Sequence, residues 1–225
     1  GLVPPLLFIP FAEQTGLINT LTSWVVAESA RMLAELGEAG LALRVSVNLS
    51  TRDLMDQELP ARIHGLVTER GVAPHSLCLE ITESAIMDDP QRALATLAQL
   101  SEMGFKLSID DFGTGYSSLA YLKRLPVDEL KIDKSFVMPM EHDLDDAKIV
   151  RSTIELAHNL GLSVVAEGVE TAKAWHLLAA LGCDEGQGFF IGRPMPQAQF
   201  LEWLADWTPP PMGDDAPITV LNALN

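Results

Sequence analysis

Short β-rich apolar runs alternate along this chain with stretches whose apolar residues recur at helical spacing, and that rhythm limits the fold more than any other feature. The strand-like runs are 43–49, 77–82, 106–110, 129–133, 163–167 and 188–191. The helix-like ones are 20–36, 51–71, 90–103, 117–125, 145–160, 171–181 and 196–207, the first closed by Gly37 and Gly40. Regular alternation of this kind predicts an α/β fold with parallel strands and helical crossovers. Periodicity does not separate an open sheet from a closed barrel; the polar residues tilt the choice. Five of the apolar runs end in an ionisable or amide group: Asn48, Glu80, Asp110 with Asp111, Lys131, and Glu167. A barrel gathers the carboxyl ends of all its strands on one face. An open sheet draws its site from fewer strands, where the strand order switches. The pattern therefore favours a barrel over residues 1–207, with Thr208 to Asn225, opening on Pro209, Pro210 and Pro211, as a tail or linker.

Bulk properties narrow the function. With 31 acids against 15 bases the formal charge is −16, so a polyanion such as duplex DNA or RNA is not an expected partner. No apolar run reaches the roughly 18 residues of a membrane span, and the apolar start is broken by Pro4, Pro5 and Pro10 without a basic flank. The two cysteines, Cys78 and Cys183, sit inside apolar segments and read as reduced thiols of a cytoplasmic domain.

Strand alternation puts Glu80 on one face with Cys78 and Thr82, Asp110 with Ser108, and Lys131 with Asp133. Glu80, Asp110, Asp111 and Glu167 supply four carboxylates against one evident counter-charge, Lys131. Burying such an excess costs several kcal/mol per ion unless partners are recruited. Hard oxygen donors of this kind, with the Asn48 amide, suit Mg²⁺ or Mn²⁺. His64, His75, His142, His158 and His176 all fall in helical or loop segments, which argues against a zinc site. Taken singly, each candidate has an ordinary structural explanation. Asn48 with Ser50 could cap a helix, Asp110-Asp111 could form a turn, Lys131 could snorkel, and Glu167-Gly168 could cap a loop.

The strings Ser46-Val47-Asn48-Leu49-Ser50, Glu80-Ile81-Thr82-Glu83-Ser84 and Asp110-Asp111-Phe112-Gly113-Thr114-Gly115-Tyr116-Ser117-Ser118-Leu119 resemble those of the EAL family. So do Leu130-Lys131-Ile132-Asp133, Ala166-Glu167-Gly168-Val169-Glu170-Thr171 and Gln187-Gly188-Phe189-Phe190, all in family order. The resemblance implies a modified (β/α)8 TIM-like barrel that hydrolyses cyclic di-GMP to linear pGpG with two Mg²⁺ or Mn²⁺ ions. It implies Asn48, Glu80 and Asp110 as ligands of one metal, with Asp110 shared by a second that Asp111 and Glu167 complete. Lys131 and Glu167 would serve catalysis together with Asp111. Gln187, Asp133 and Glu170 would support substrate and water, and Glu83 would hold the loop from Phe112 to Leu119. Six of eight strands are legible, and the first two, which carry Glu-Ala-Leu in the family, are expected upstream of Gly1. A homodimer, accompanying sensory or GGDEF domains, and a cytoplasmic place, free or on a membrane anchor, follow by the same resemblance. The rival expectation is a receptor module that binds cyclic di-GMP without cutting it.

Overall fold

The computed structural model describes residues 3–115 and 119–210. The chain divides into two compact units, Gly1–Glu129 and Leu130–Asn225. In the first, helices α1 (Pro5–Thr15) and α2 (Ile18–Glu38) precede strand β1 (Val45–Leu49). Helices α3 (Thr51–Leu54) and α4 (Leu59–Thr68) and a 3-10 turn at Pro74–Ser76 lead to β2 (Leu77–Thr82). Then come α5 (Glu83–Asp88), α6 (Pro90–Glu102), β3 (Lys106–Phe112) and α7 (Leu119–Leu122), and β4 (Glu129–Ile132) starts on the last residue of this unit. The second unit holds α8 (Lys134–Val137), α9 (Leu144–Asn159), β5 (Ser163–Glu167), α10 (Ala172–Ala180), β6 (Glu185–Gln187) and α11 (Gln197–Asp206).

Strands β1, β2 and β3 pair in parallel in chain order, with Asn48 opposite Glu80, Glu80 opposite Ser108 and Thr82 opposite Asp110. In the second unit β5 and β6 are parallel, with Glu167 opposite Gln187. Strand β2 is buried along its length up to Glu80 and Ile81, as expected of a parallel strand covered on both faces. On β1 the alternation is visible: Val47 and Leu49 are buried, whereas Ser46 and Asn48 are exposed. Helix α2 packs on β1 and α4, and α9 on β5 and α8. Helix α9 turns Ala147, Val150, Ile154 and Ala157 inward at helical spacing.

Four of the strand-to-helix handovers are made by a short polar side chain that takes up free amides of the first turn. Ser50 caps α3, Thr82 caps α5, Asp133 caps α8 and Thr171 caps α10. Asp89 and Asp143 do the same for α6 and α9.

Two expectations are corrected. The helix read over 51–71 is two helices, because Pro60 fits only a first turn and restarts the helix at Leu59. The strand read over 188–191 lies earlier, at Glu185–Gln187; Ile191 and Gly192 instead donate to the Gly188 carbonyl in a turn. The proline-broken start is helical from Pro5, which occupies the first turn, although Pro10 lies inside the helix. The helix read over 117–125 is helical over Leu119–Leu122 and ends in turns through Lys123 to Leu125, while its first two positions lie outside the described residues. Most of the tail read from Thr208 also lies outside them.

Charged side chains pin the starts of the strands. Arg44 Nη2 lies 2.7 Å from Oε2 of Glu129, whose side chain is 3% exposed. The Cys78 thiol lies 4.0 Å from the other Glu129 oxygen. Asp128 accepts from the Leu107 amide and pairs with Lys106 at 2.6 Å. In the second unit Asp184 accepts from the Val164 amide and meets His158 Nε2, both at 2.8 Å.

Arg44→Met should therefore lower the unfolding free energy by about 1–3 kcal/mol, since it leaves Glu129 buried without its guanidinium; a urea melt at neutral pH measures it. Burial pushes the Asp184 carboxyl up, but the bonds from His158 and the Val164 amide outweigh it and hold it below its ordinary 3.8. A depressed folded-state value gives stability that is present above the unfolded value and lost as pH falls through the folded one. Asp184→Asn should lower Tm at pH 7, and its gap from the wild type should close below about pH 4.

Candidate functional site

In the first unit the register of β1 on β2 sets Asn48 beside Glu80, and adjacent strands lie about 4.8 Å apart, so both side chains leave the sheet together. Glu80 is 4% and Asp110 9% exposed, which leaves two carboxylates almost out of water within one unit. Ser108, between them in register and fully buried, carries a hydroxyl with no hydrogen-bond partner among the described residues. Amide, carboxylates and hydroxyl are all hard oxygen donors, so this part of the chain fits Mg²⁺ or Mn²⁺ chemically. The thiols do not compete: burial first of all pushes both Cys78 and Cys183 up to about 12, so they are neutral at physiological pH.

The end of β3 is strained. Asp111 has φ +55°, the sole positive value outside glycine among the described residues. Its amide donates to Asp110 Oδ1 at 3.0 Å, and its carbonyl accepts from the Thr114 hydroxyl at 2.8 Å. Gly113, at φ +95°, completes the turn. A left-handed residue breaks the alternation of an extended strand, so Asp110 and Asp111 need not point to opposite faces. Glu83 begins α5, and its Oε2 would lie 3.6 Å from a Cβ at Gly115, so its carboxylate rests against the loop after β3. Residues 116–118 of that loop lie outside the described residues.

In the second unit Lys131 Nζ and Glu167 Oε1 are 2.5 Å apart, with side chains 3% and 17% exposed. Such a pair is short and largely withdrawn from water, the setting in which its electrostatics count most. Asp133 is buried and its Oδ1 accepts from the Ser135 amide at 2.9 Å, so it caps α8 directly after β4. Gln187 is exposed at the end of β6, level with Glu167, and Glu170 is exposed three residues further along the β5 loop.

Two glycines let this loop close on its neighbours. Gly168 has φ +72°, and a Cβ there would stand 2.5 Å from Lys134 Cβ. A Cβ on Gly188 would fall inside the Val169 backbone. That contact is sealed from both sides, because the Val169 amide donates to the Gln187 carbonyl and Phe190 donates to the Val169 carbonyl, each at 3.0 Å. The five histidines lie on α4, the 3-10 turn, a turn, α9 and α10, as anticipated.

The residues that sequence reasoning missed are those acting through hydrogen bonds. Asp53 forms a capping box with Ser50, a spacing that was legible as Ser-x-x-acid before an apolar run. Nothing in the sequence marks the Val169 clamp. Gly188→Ala should destabilise the chain by about 2–4 kcal/mol, because backbone rather than a flexible side chain must move; a thermal melt beside Gly37→Ala, where the Cβ meets open space and φ is not positive, isolates the clash.

Known proteins agree with this architecture. The EAL domain family model matches residues 1–194. The chain is 46% identical over 206 residues to the bifunctional diguanylate cyclase/cyclic di-GMP phosphodiesterase MucR of Pseudomonas aeruginosa, covering 91% of this chain and 30% of that protein. It is 39% identical over 203 residues to the cyclic di-GMP phosphodiesterase PdeR of Escherichia coli K12, covering 90% and 31%. The chain thus spans about 30% of the length of these curated relatives. Among solved structures, the PaMucR phosphodiesterase in complex with c-di-GMP aligns with a TM-score of 0.86 at 46% identity, covering 89% of this chain and 81% of that one. The α/β, TIM-like barrel class expected from the sequence is the fold of that structure, and six of its strands are present among the described residues.

Proposed function

The chain belongs to the EAL domain family, and from that premise we propose that it hydrolyses cyclic di-GMP to linear pGpG with the help of Mg²⁺ or Mn²⁺. What supports the reading most is the donor set: Asn48 in register with Glu80, the buried Asp110 beside Asp111, and the close Lys131–Glu167 pair. A receptor that only binds the nucleotide has no need to keep so many carboxylates withdrawn from water.

Asn48, Glu80, Asp110, Asp111 and Glu167 are the proposed metal-holding residues. Two divalent ions, when bound, supply Lewis-acid stabilisation of charge on the phosphoryl oxygens and acidify water. The chain's own residues do the rest. Glu167 takes a proton from the attacking water, whose oxygen forms the new bond to phosphorus. The bond from phosphorus to the ribose 3′-oxygen breaks, and that oxygen takes a proton from solvent water as it leaves, opening the ring to pGpG. Lys131 holds Glu167 in place and offsets negative charge that builds on the phosphate. Asp133 fixes the turn after Lys131 by capping α8. Gln187 and Glu170 orient substrate and water at the rim, and Glu83 steadies the loop from Phe112 to Leu119.

The proposal extends to setting: a homodimeric module of a larger signalling protein with sensory or GGDEF domains, working in the cytoplasm. No described helix is long and apolar enough to cross a membrane.

The test is to incubate the full natural polypeptide with cyclic di-GMP and Mg²⁺ and to follow nucleotides by chromatography, with EDTA as control. Metal-dependent pGpG supports the reading; tight binding of uncut cyclic di-GMP replaces it with the receptor. Glu167→Gln should leave nucleotide binding intact and lower turnover on the order of 10²–10⁴-fold. Equal loss of binding and turnover would make Glu167 structural. Glu80→Ala should shift the metal titration to higher concentration, and an unmoved curve would remove it from the ligand set.

A further inference from the structure

Asp53 is fully buried, at 0% exposure, five residues beyond Asn48. Its Oδ2 accepts three hydrogen bonds: from the Thr22 hydroxyl of α2 at 2.9 Å, from the Ser50 amide at 2.9 Å and from the Ser50 hydroxyl at 2.7 Å. The Ser50 hydroxyl in turn accepts from the Asp53 amide at 3.2 Å, completing a capping box. Its other oxygen, Oδ1, is buried with no hydrogen-bond partner among the described residues.

A capping box consists of two reciprocal hydrogen bonds and does not itself require this burial. A buried carboxylate oxygen without a donor is costly, and its retention asks for a reason. The place supplies one. Strand β1 is held along one side by β2 as far as Leu49 opposite Ile81, and the next residue is Ser50. Beyond that last strand pair, the hydrogen bond between Thr22 and Asp53 ties the exit of β1 to α2. Asn48, an exposed neutral amide, contributes to a metal site only by the direction of its carbonyl, because it carries no charge to attract the ion from a wrong angle.

We propose that Asp53 is a positioning residue for metal binding: acting through Ser50 and Thr22, its buried carboxylate fixes the exit of β1 and thereby the orientation of Asn48. The assignment rests on the phosphodiesterase reading, which places Asn48 among the metal ligands. It acts by geometry, not by charge, so a side chain that keeps the accepting oxygen and loses the charge suffices.

The docking of α2 does not depend on Asp53 alone. Arg62 pairs with Asp56 at 2.7 Å and donates to Ser23 of α2 at 3.1 Å, and Asn19 of α2 reaches the same Asp56 oxygen. This second strap ties α2 to α4 and to the segment between α3 and α4 rather than to the exit of β1, so its loss provides a control for general loosening.

Mn²⁺ is the probe, titrated without nucleotide into the full natural polypeptide and read by the electron paramagnetic resonance signal of the free ion, with urea melts alongside. Asp53→Ala should weaken Mn²⁺ binding about 10-fold, the scale on which residues that orient a ligand act. Thr22→Val, which removes the α2 bond alone, should weaken it about threefold, and Asp53→Asn should stay within about twofold of the wild type. Arg62→Ala should lose stability without moving Mn²⁺ binding. Unchanged affinity in Asp53→Ala overturns the proposal. So does Asp53→Asn as weak as Asp53→Ala, which would make the effect one of charge, or Arg62→Ala as weak as Asp53→Ala, which would make it one of loosening. If the wild type binds no Mn²⁺, the phosphodiesterase reading fails and the proposal with it; wild-type binding that ignores Asp53 defeats the proposal alone.

Discussion

Carboxylates removed from water at the carboxyl ends of the strands are the constraint around which the local structure is arranged. A buried carboxylate is tolerated only if donors or a cation replace its lost hydration. Asp110 receives the amide of its own neighbour, Asp133 the Ser135 amide in the first turn of α8, and Asp53 the amide and hydroxyl of Ser50 together with the hydroxyl of Thr22. Glu167 is matched by the Lys131 ammonium. Most of these donors come from the turn that follows the strand. The same short polar residues that start the helices therefore also organise the acids, and the loops are ordered by electrostatic need as much as by chain direction.

Backbone strain gathers at the same ends. Asp111 sits in the left-handed region and so escapes strand alternation, at a modest cost for an aspartate. Gly168 sets the β5 loop against Lys134, and Gly188 brings the β6 loop so close to Val169 that any Cβ would collide, with two backbone hydrogen bonds closing that second gap. Those loops follow Glu167 and Gln187 directly. Rigidity there holds side-chain directions that a freer loop would blur.

Much of this was legible in the chain. The runs through β1, β2, β3 and β5 were readable because short β-rich apolar runs end in a polar group, and α9 because its buried positions recur at helical spacing. Strand β6 was misplaced because Phe189-Phe190-Ile191 is the more apolar stretch, yet Gly188 must meet the Val169 backbone and turns the chain before it. The helix over 51–71 was read too long because apolar periodicity outweighed Pro60, which permits a helix only on its far side. One-turn helices α5 and α8 are too short to leave a periodic trace.

What the sequence determined by itself is the alternation of strand and helix, the barrel class, and which side chains stand at the strand ends: Asn48, Glu80, Asp110, Asp111, Lys131 and Glu167. Those follow from local periodicity and from residue chemistry, both of which are written position by position. Tertiary structure alone decided the register that sets Asn48 beside Glu80, the 2.5 Å approach of Lys131 to Glu167, the burial of Asp53 beneath Ser50 and Thr22, and the clamp on Val169. Each joins residues far apart in the chain or depends on water being excluded around them, and neither condition exists until the elements have packed.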